Sequence, residues 1–294
     1  MQLKDLFIAY GLALSEIAVL FHVSDKPKLQ RALPTLADEE PDLFDAFQNQ
    51  HGPNVEATLR KRRFMVSFVN IGANDYAYAG LFEVTGNKYQ TMAELDEDPK
   101  RAVLRQRYDD ISFVQHGLTT GQVGRLVFQL VPRQETADLI GRLIVRKPVA
   151  NRNYRFLAEN LDCPVVEITR NRQLTPPPPE WRDFVVTAHE LRNLPRSHSA
   201  RLAGWRGVYL ITDENDGGRY VGSAYGAENL LGRWRAHVAR DKGVTAELGQ
   251  RDTGSFRFSI LQLLLHDADA AEVQTSETNW KTRLHTRVWG LNKN

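Results

Sequence analysis

Four consecutive prolines, Pro176–Pro179, constrain the fold of this chain more than any other feature. Proline cannot continue a helix or a central strand, and a run of prolines favours the stiff, extended polyproline II conformation. Composition changes at the same place, because all 5 tryptophans follow the prolines. The sequence therefore predicts two domains, at residues 1–171 and 187–294, that are joined by a proline-rich linker at 172–186.

Charge and cysteine content exclude several classes of protein. The net charge of +2 is too small for a strongly basic nucleic-acid binder, so any nucleic-acid contact must come from a local patch. Cys163 is the single cysteine, which excludes a disulfide framework and a zinc site with two thiolates, and predicts a cytoplasmic protein. Asp5, Glu16 and Asp25 interrupt the apolar residues of the first thirty positions. These positions predict an amphipathic helix, not a membrane span or a signal peptide.

The N-terminal half alternates short apolar runs with polar turns, which predicts an α+β domain with a curved sheet or barrel. Helices are expected in the opening segment, at roughly 36–49, and at "NRNYRFLAEN", residues 151–160. The segment "GLTTGQVG" at 117–124 lacks the Gly-Lys-Ser/Thr ending of a phosphate-binding loop, and we interpret it as an ordinary loop. The predicted strands are "RFMVSFVNI", "YAYAGLFEVTG", "GRLVFQLVP", "GRLIVRKP" and "CPVVEIT".

The C-terminal half predicts a β-β-α-β-α order, with a three-stranded antiparallel sheet between helices. A capping box, Thr187 to Glu190, begins a short helix. The strands "GVYLI" and "RYVGS" flank "DENDGG", which carries the Asp-Gly and Gly-Gly signals of a hairpin. The next three predicted elements are a helix at "AENLLGRWRAHVARD", a strand at "SFRFSILQL" and a helix at "DAAEVQTSETNWKTRLHTR".

Polar residues recur at helical spacing on the first of these long helices. Arg233, His237 and Arg240 follow one another at i, i+4 and i+7, so they share one helix face. Such a face is either a solvated stripe or a binding surface, and the spacing alone does not separate the two.

Glu277 interrupts the apolar stripe of the last helix, which Val273, Trp280 and Leu284 form. A carboxylate in that position needs a cation or a metal ion, because burying it without a partner is costly. A structural ion pair and a metal ligand remain equal alternatives on this basis. Tyr209 and Tyr220, taken singly, are ordinary strand residues.

Taken together and in order, these residues resemble the GIY-YIG nuclease family over residues 205–294. Val208 and Val221 replace isoleucine of the family's two tripeptides, an apolar exchange on a strand. The positions that carry the resemblance are Gly207, Tyr209, Tyr220, Gly222, Arg233, His237, Glu277 and Asn292.

The resemblance implies one divalent ion, Mg²⁺ or Mn²⁺, held by Glu277 in each active site. It also implies that Arg233 stabilises the phosphoryl oxygens and that Tyr209 acts as the general base or orients the attacking water. Tyr220 and His237 are expected to complete the pocket around the scissile phosphate.

The other motif positions are expected to be structural. Gly207 and Gly222 would allow close approach of the backbone, and Asn292 would fix the last loop against the sheet. Exposed basic side chains could add contacts to the DNA backbone, and the candidates are Arg235, Arg240, Lys242 and Lys281.

The N-terminal half is weakly similar to PUA, EVE and SRA domains, which read modified or flipped bases. Tyr76, Tyr78 and Tyr154 could form a stacking wall there, although core tyrosines are the favoured interpretation.

The sequence thus predicts a metal-dependent DNA endonuclease of the restriction or phage-defence kind, with dependence on base modification as an option. A repair or structure-specific nuclease and a non-catalytic nucleic-acid-binding protein are the alternatives. One active site cuts one strand, so double-strand cleavage requires a homodimer or successive nicks.

Overall fold

The computed structural model describes residues 1–110, 124–148, 153–225, 229–241, 246–265 and 267–293. The chain divides into two compact units, Met1–Pro176 and Pro177–Asn294, and the division falls inside the proline run. Positions 117–123 of the "GLTTGQVG" segment and Lys242 lie outside the described residues. Among the described helices, none is both long and apolar enough to cross a membrane.

The first unit contains six described helices and seven described strands. The helices are α1 (Leu3–Ala9), α2 (Pro27–Glu39), α3 (Pro41–Gln48), α4 (Pro53–Leu59), α5 (Met92–Glu97) and α6 (Pro99–Tyr108). The strands are β1 (Ile17–His22), β2 (Phe64–Gly72), β3 (Asp75–Thr91), β4 (Gly124–Pro132), β5 (Leu143–Arg146), β6 (Arg155–Leu157) and β7 (Val165–Ile168).

These strands form one mixed sheet in the order β6-β1-β2-β3-β5-β7, and β4 pairs with the distal part of β3. The β1–β2 pair is parallel and the other pairs are antiparallel. Strand β3 pairs with three strands, β2, β5 and β4, and its pairing with β2 shifts register at Gly80, whose φ is 141°. A bulge of this kind bends a strand, which fits the curled sheet of this α+β unit.

Two helix predictions in this unit are wrong. The opening segment is no continuous amphipathic helix, because α1 ends at Ala9 and Ile17–His22 form strand β1. Every residue of β1 is buried between β2 and β6, and a short apolar run in such a strand cannot be told from a buried helix by periodicity. In "NRNYRFLAEN", Arg155–Leu157 form strand β6 beside β1, and a 3₁₀ turn, Ala158–Asn160, follows.

The second unit contains the three predicted strands and a fourth. Strands β9 (Arg206–Asp213), β10 (Arg219–Ala224) and β11 (Phe256–Leu264) are joined by β8 (Val185–Thr187), which pairs with β11. The sheet is antiparallel, in the order β10-β9-β11-β8, so that β10 lies at an edge. The helices are α7 (Ala188–Arg192), α8 (Arg196–Gly204), α9 (Asn229–Ala239), α10 (Ala246–Gly249) and α11 (Ala270–Arg283).

An ion-pair network fixes the β9–β10 hairpin. Arg251 lies 2.6 Å from the buried carboxylate of Asp213, at the end of β9, and 2.8 Å from Asp216 in the turn. Gly217 has a φ of 75°, which a residue with a side chain rarely adopts. The turn thereby sets the register in which β9 faces β10, with Tyr209 opposite Gly222.

Candidate active site

Two tyrosines lie on the same face of the β9–β10 hairpin. Tyr209 is opposite Gly222 and Tyr220 is opposite Ile211, so strand alternation directs both phenols toward helix α9. A Cβ atom at Gly222 would lie only 2.6 Å from the Tyr209 Cζ atom and 2.9 Å from the Tyr220 ring. The glycine therefore leaves the space in which the Tyr209 phenol lies.

Helix α9 places a histidine and an arginine over these phenols. The Tyr209 hydroxyl lies 2.7 Å from His237 Nε2, and Arg233 hydrogen-bonds to both Tyr209 and Tyr220. Arginine only donates hydrogen bonds, so among the described residues His237 Nε2 is the acceptor available to the Tyr209 O–H group. The structure thus provides a neutral acceptor for the Tyr209 proton and a fixed cation beside the phenol oxygen.

Burial controls the protonation of these groups. It raises the pKa of Tyr209 and of Tyr220 above the ordinary value, and the Glu277 charge raises the pKa of Tyr220 further. Burial and the nearby Arg233 charge lower the pKa of His237 to about 3. At neutral pH the phenols are therefore protonated, the imidazole is neutral, and the Arg233 guanidinium is the permanent cation.

Glu277 reaches the site from helix α11. One carboxylate oxygen accepts a hydrogen bond from the Ser223 hydroxyl on β10, and the other lies 2.7 Å from Lys281 Nζ. The Glu277 side chain keeps 19% of its surface exposed. The carboxylate is therefore held in place by two partners but is still open to solvent.

The last loop closes the edge of strand β10. Asn292 is fully buried, accepts a hydrogen bond from the Val221 N–H group and donates one to the Val221 carbonyl, both at 2.8 Å. An edge strand leaves such groups unpaired, and Asn292 satisfies both of them. Gly207 has a different role, because a Cβ atom there would collide with the Gln262 carbonyl on β11.

The structure therefore brings together one group of the residues that the sequence indicated. It places Tyr209, Tyr220, Arg233 and His237 in mutual contact, with Glu277 close enough to influence both phenols electrostatically.

The basic residues considered for DNA contact are placed differently. Arg235 is exposed on α9, and Lys281 is buried beside Glu277 rather than on the surface. The prediction that Arg240 continues the Arg233–His237 helix face is wrong, because α9 ends at Ala239 and Arg240 has a φ of 59°. Its guanidinium instead donates to the Arg251 carbonyl.

Sequence reasoning missed two partners of the carboxylate. Ser223 directly follows the Tyr220-Val-Gly222 tripeptide, and its hydroxyl is the only feature that could have marked it. Lys281 is four residues after Glu277, a spacing that brings two helical side chains together, and this i,i+4 pair was a usable signal.

Comparison with known proteins gives one family and two solved structures. Residues 206–292 match the family described as the GIY-YIG catalytic domain. No curated protein sequence matches the chain. Among solved structures, the chain is similar to a mutant form of the catalytic domain of intron endonuclease I-TevI, at 22% identity and a TM-score of 0.27, covering 31% of this chain and 94% of that one. It is also similar to the catalytic domain of homing endonuclease I-TevI, at 21% identity and a TM-score of 0.25, covering 29% of this chain and 95% of that one.

The family match spans the strands, helices and loop that carry every residue of the described site. Residues 206–292 are accordingly a GIY-YIG catalytic domain, the catalytic domain of a nuclease, an enzyme that hydrolyses phosphodiester bonds.

Proposed function

We propose that this chain is a metal-dependent DNA endonuclease of the restriction or phage-defence kind. The observation that carries the proposal is the contact of the Tyr209 phenol with His237 and Arg233 at an edge where the Glu277 carboxylate is also exposed. Hydrolysis of a phosphodiester needs a base for the attacking water, a cation for the developing charge and help for the leaving oxygen. Tyr209 can serve as the base and Arg233 as the cation. A metal ion bound by Glu277 can assist the leaving oxygen.

The donor set fits a divalent ion that keeps most of its water. GIY-YIG nucleases are generally metal-dependent, and Glu277 is the carboxylate of this site. Among the described residues, no three His, Cys, Asp or Glu side chains gather as a metal site. One carboxylate suits a single hydrated Mg²⁺ or Mn²⁺ and does not suit a two-metal site. When bound there, such an ion would neutralise charge on a phosphoryl oxygen and on the leaving group.

Tyr209 is the base in this proposal. Its hydroxyl proton passes to His237 Nε2 as the oxygen takes a proton from the attacking water, and Arg233 stabilises the oxygen while it carries charge. Tyr209 is fully enclosed, whereas Arg233 and Glu277 are partly exposed, so water and phosphate enter on their side. Tyr220 also hydrogen-bonds to Arg233 and helps to hold the guanidinium in place.

The separate first unit supports recognition of a particular DNA. The chain contains a unit with its own core in addition to a compact catalytic unit, and we assign target selection to it. The restriction or phage-defence role and the alternative role in repair differ in the DNA that is selected.

A cleavage assay on defined substrates tests the proposal. Purified full-length protein is incubated with Mg²⁺ or Mn²⁺ and with unmodified plasmid, base-modified plasmid or branched DNA. We expect cutting of plasmid DNA that chelation with EDTA abolishes, and that Glu277→Ala and Arg233→Ala abolish while DNA binding remains. Preference for branched DNA would favour a repair role, and no cleavage of any substrate would favour a non-catalytic binding protein.

A further inference from the structure

A cavity in the first unit is not explained by the catalytic chemistry. It lies at the carboxyl end of β1 and encloses about 220 Å³. This volume is below the ~300 Å³ lower end of pockets for drug-sized ligands and suits one flat ring system. Residues from five parts of the chain line the cavity, among them His22, Asp25, Phe47, His51, Asp110, Arg125 and Tyr154.

Aromatic rings form much of the wall. The His51 ring lies 6.3 Å from the Tyr154 ring and 6.2 Å from the His22 ring, and it is nearly parallel to the His22 ring, at 20°. The Phe47 ring meets His22 at 5.6 Å. Tyr154, for which the sequence favoured a core role over a stacking role, is half-buried here, whereas Tyr76 and Tyr78 are core residues. Such faces bind a planar heterocycle by stacking.

Three polar atoms of the lining residues lack hydrogen-bond partners among the described residues. They are Gln50 Oε1, His51 Nε2 and Arg125 Nε, and all three are shielded from solvent. Each such buried atom costs about 1–3 kcal/mol, and native structures contain few of them. His51 donates through its other ring nitrogen to the Gln48 backbone, so the neutral ring presents Nε2 as an acceptor. Because these three atoms have almost no accessible surface, a ligand reaches the two acceptors and the one donor only after the Gln50, His51 and Arg125 side chains turn toward it.

The charges at this cavity favour an uncharged ligand over a phosphate. Burial lowers the pKa of His22 to about 3 and that of His51 to about 4, so both rings are neutral at physiological pH. Asp25 and Asp110 contribute carboxylates, which repel an anion. The Arg125 Nη1 atom is already committed to the His51 carbonyl at 2.9 Å.

We propose that this cavity receives one base of the DNA substrate, extruded from the helix and stacked beside the His51 and Tyr154 rings, and that the Gln50, His51 and Arg125 side chains turn to hydrogen-bond its edge. The proposal rests on the DNA substrate of the proposed function and assigns base recognition to the first unit. A mismatched base costs little free energy to extrude from a duplex, so duplexes with one mismatched position serve as the probe.

Gly52 provides a variant that blocks the cavity without a clash. It lines the cavity, its φ of −76° is accessible to any residue, and a Cβ atom there meets nothing within 4 Å. Gly52→Leu therefore places a side chain in open space. Gly204→Leu is the matched control, because Gly204 is equally open and lies in the second unit, on α8.

The experiment measures the affinity of the full chain, in EDTA, for a set of duplexes that differ at one central position. That position carries a mismatched A, C, G or T, 5-methylcytosine, N6-methyladenine or an abasic site. We expect at least one base-bearing duplex to bind about tenfold more tightly than the abasic duplex, as stacking of a single base provides. Gly52→Leu should remove this difference, and Gly204→Leu should retain it.

Hydrogen exchange of the wild-type chain gives a second readout that needs no variant. The preferred duplex should protect amides in 47–54, and the abasic duplex should not. Equal affinity for all duplexes, or protection elsewhere only, would overturn the proposal, even if Mg²⁺-dependent cleavage is found. Base-dependent binding without cleavage in any metal would instead overturn the nuclease proposal and leave the cavity assignment standing.

Discussion

The Tyr209 hydroxyl lies 2.7 Å from His237 Nε2, and both residues are fully buried in the second unit. A tyrosine with a raised pKa is a poor base by itself at neutral pH. Burial and the Arg233 charge also make the His237 imidazole a weak proton acceptor, so the proposed transfer requires the anionic phosphate to bind at Arg233 and raise the proton affinity of this imidazole.

Tyr209→Phe is expected to reduce the cleavage rate by about 10²–10⁴-fold, the usual contribution of a general base. The substitution removes one oxygen atom and leaves the ring packing in place. Single-turnover cleavage of plasmid DNA, with DNA affinity measured in parallel, checks this. Tyr220→Phe is the matched control and should cost less, because Tyr220 is proposed only to position Arg233; a larger loss in Tyr220→Phe would reverse the two roles.

Lys281→Met should increase the affinity of the site for divalent metal. Lys281 occupies one oxygen of Glu277, so an incoming ion must displace or share it. The pair is largely buried, with side-chain exposures of 11% and 19%, and a competition of ~1 kcal/mol corresponds to a roughly fivefold lower metal concentration at half-maximal cleavage. A metal titration of the cleavage rate measures this shift. A higher metal requirement in the variant would show that Lys281 assists the ion rather than competing with it.

Gly222→Ala should destabilise the second unit and abolish cleavage. The added methyl group would overlap the Tyr209 phenol, and overpacking of this kind costs about 1–3 kcal/mol. Denaturant unfolding of the full chain, followed by tryptophan fluorescence, reports on this unit because every tryptophan lies in it. Gly249→Ala is the control, since a Cβ atom there meets nothing within 4 Å. Equal stability of the two variants would contradict the close approach described here.

Asn292→Ala should lower the free energy of unfolding of the second unit by about 2 kcal/mol or more. It removes both hydrogen-bond partners of the Val221 backbone at a buried edge, and each buried group left unpaired costs about 1–3 kcal/mol. The same fluorescence experiment measures it. Asn292→Asp keeps an acceptor for the Val221 N–H group and should be less damaging than the alanine variant; the opposite ranking would contradict the assignment.

The first unit should lose stability as the pH falls below neutral. The pKa values of His22 and His51 are about 3 and about 4 in the folded chain, below the ordinary 6.5, so the unfolded chain binds more protons between these limits. Stability is therefore fully present above pH ~6.5 and declines toward pH 4, by on the order of 2 kcal/mol per histidine at pH 5. Hydrogen exchange of amides in β1 and β2 at pH 7 and pH 5, corrected for intrinsic rates, measures this. His22→Gln should flatten the dependence, and an unchanged slope would exclude His22 as a cause.

The sequence by itself determined which residues of the hairpin and of helix α9 share a face in the candidate site. Its glycines and tyrosines lie on a local hairpin, and Arg233 and His237 lie one helical turn apart, so short spacings fix which side chains share a face. The proline run likewise marks the division between the units, because its effect on the backbone is local.

Only the tertiary structure decided the remaining features. Ile17–His22 form a strand because β2 and β6 supply hydrogen bonds from distant parts of the chain, which an apolar run does not reveal. Ser223 meets Glu277 across 54 positions of sequence, and the cavity joins residues from His22 to Tyr154. Contacts between residues so far apart in the sequence depend on how the strands and helices are arranged in the fold, so no local pattern in the sequence encodes them.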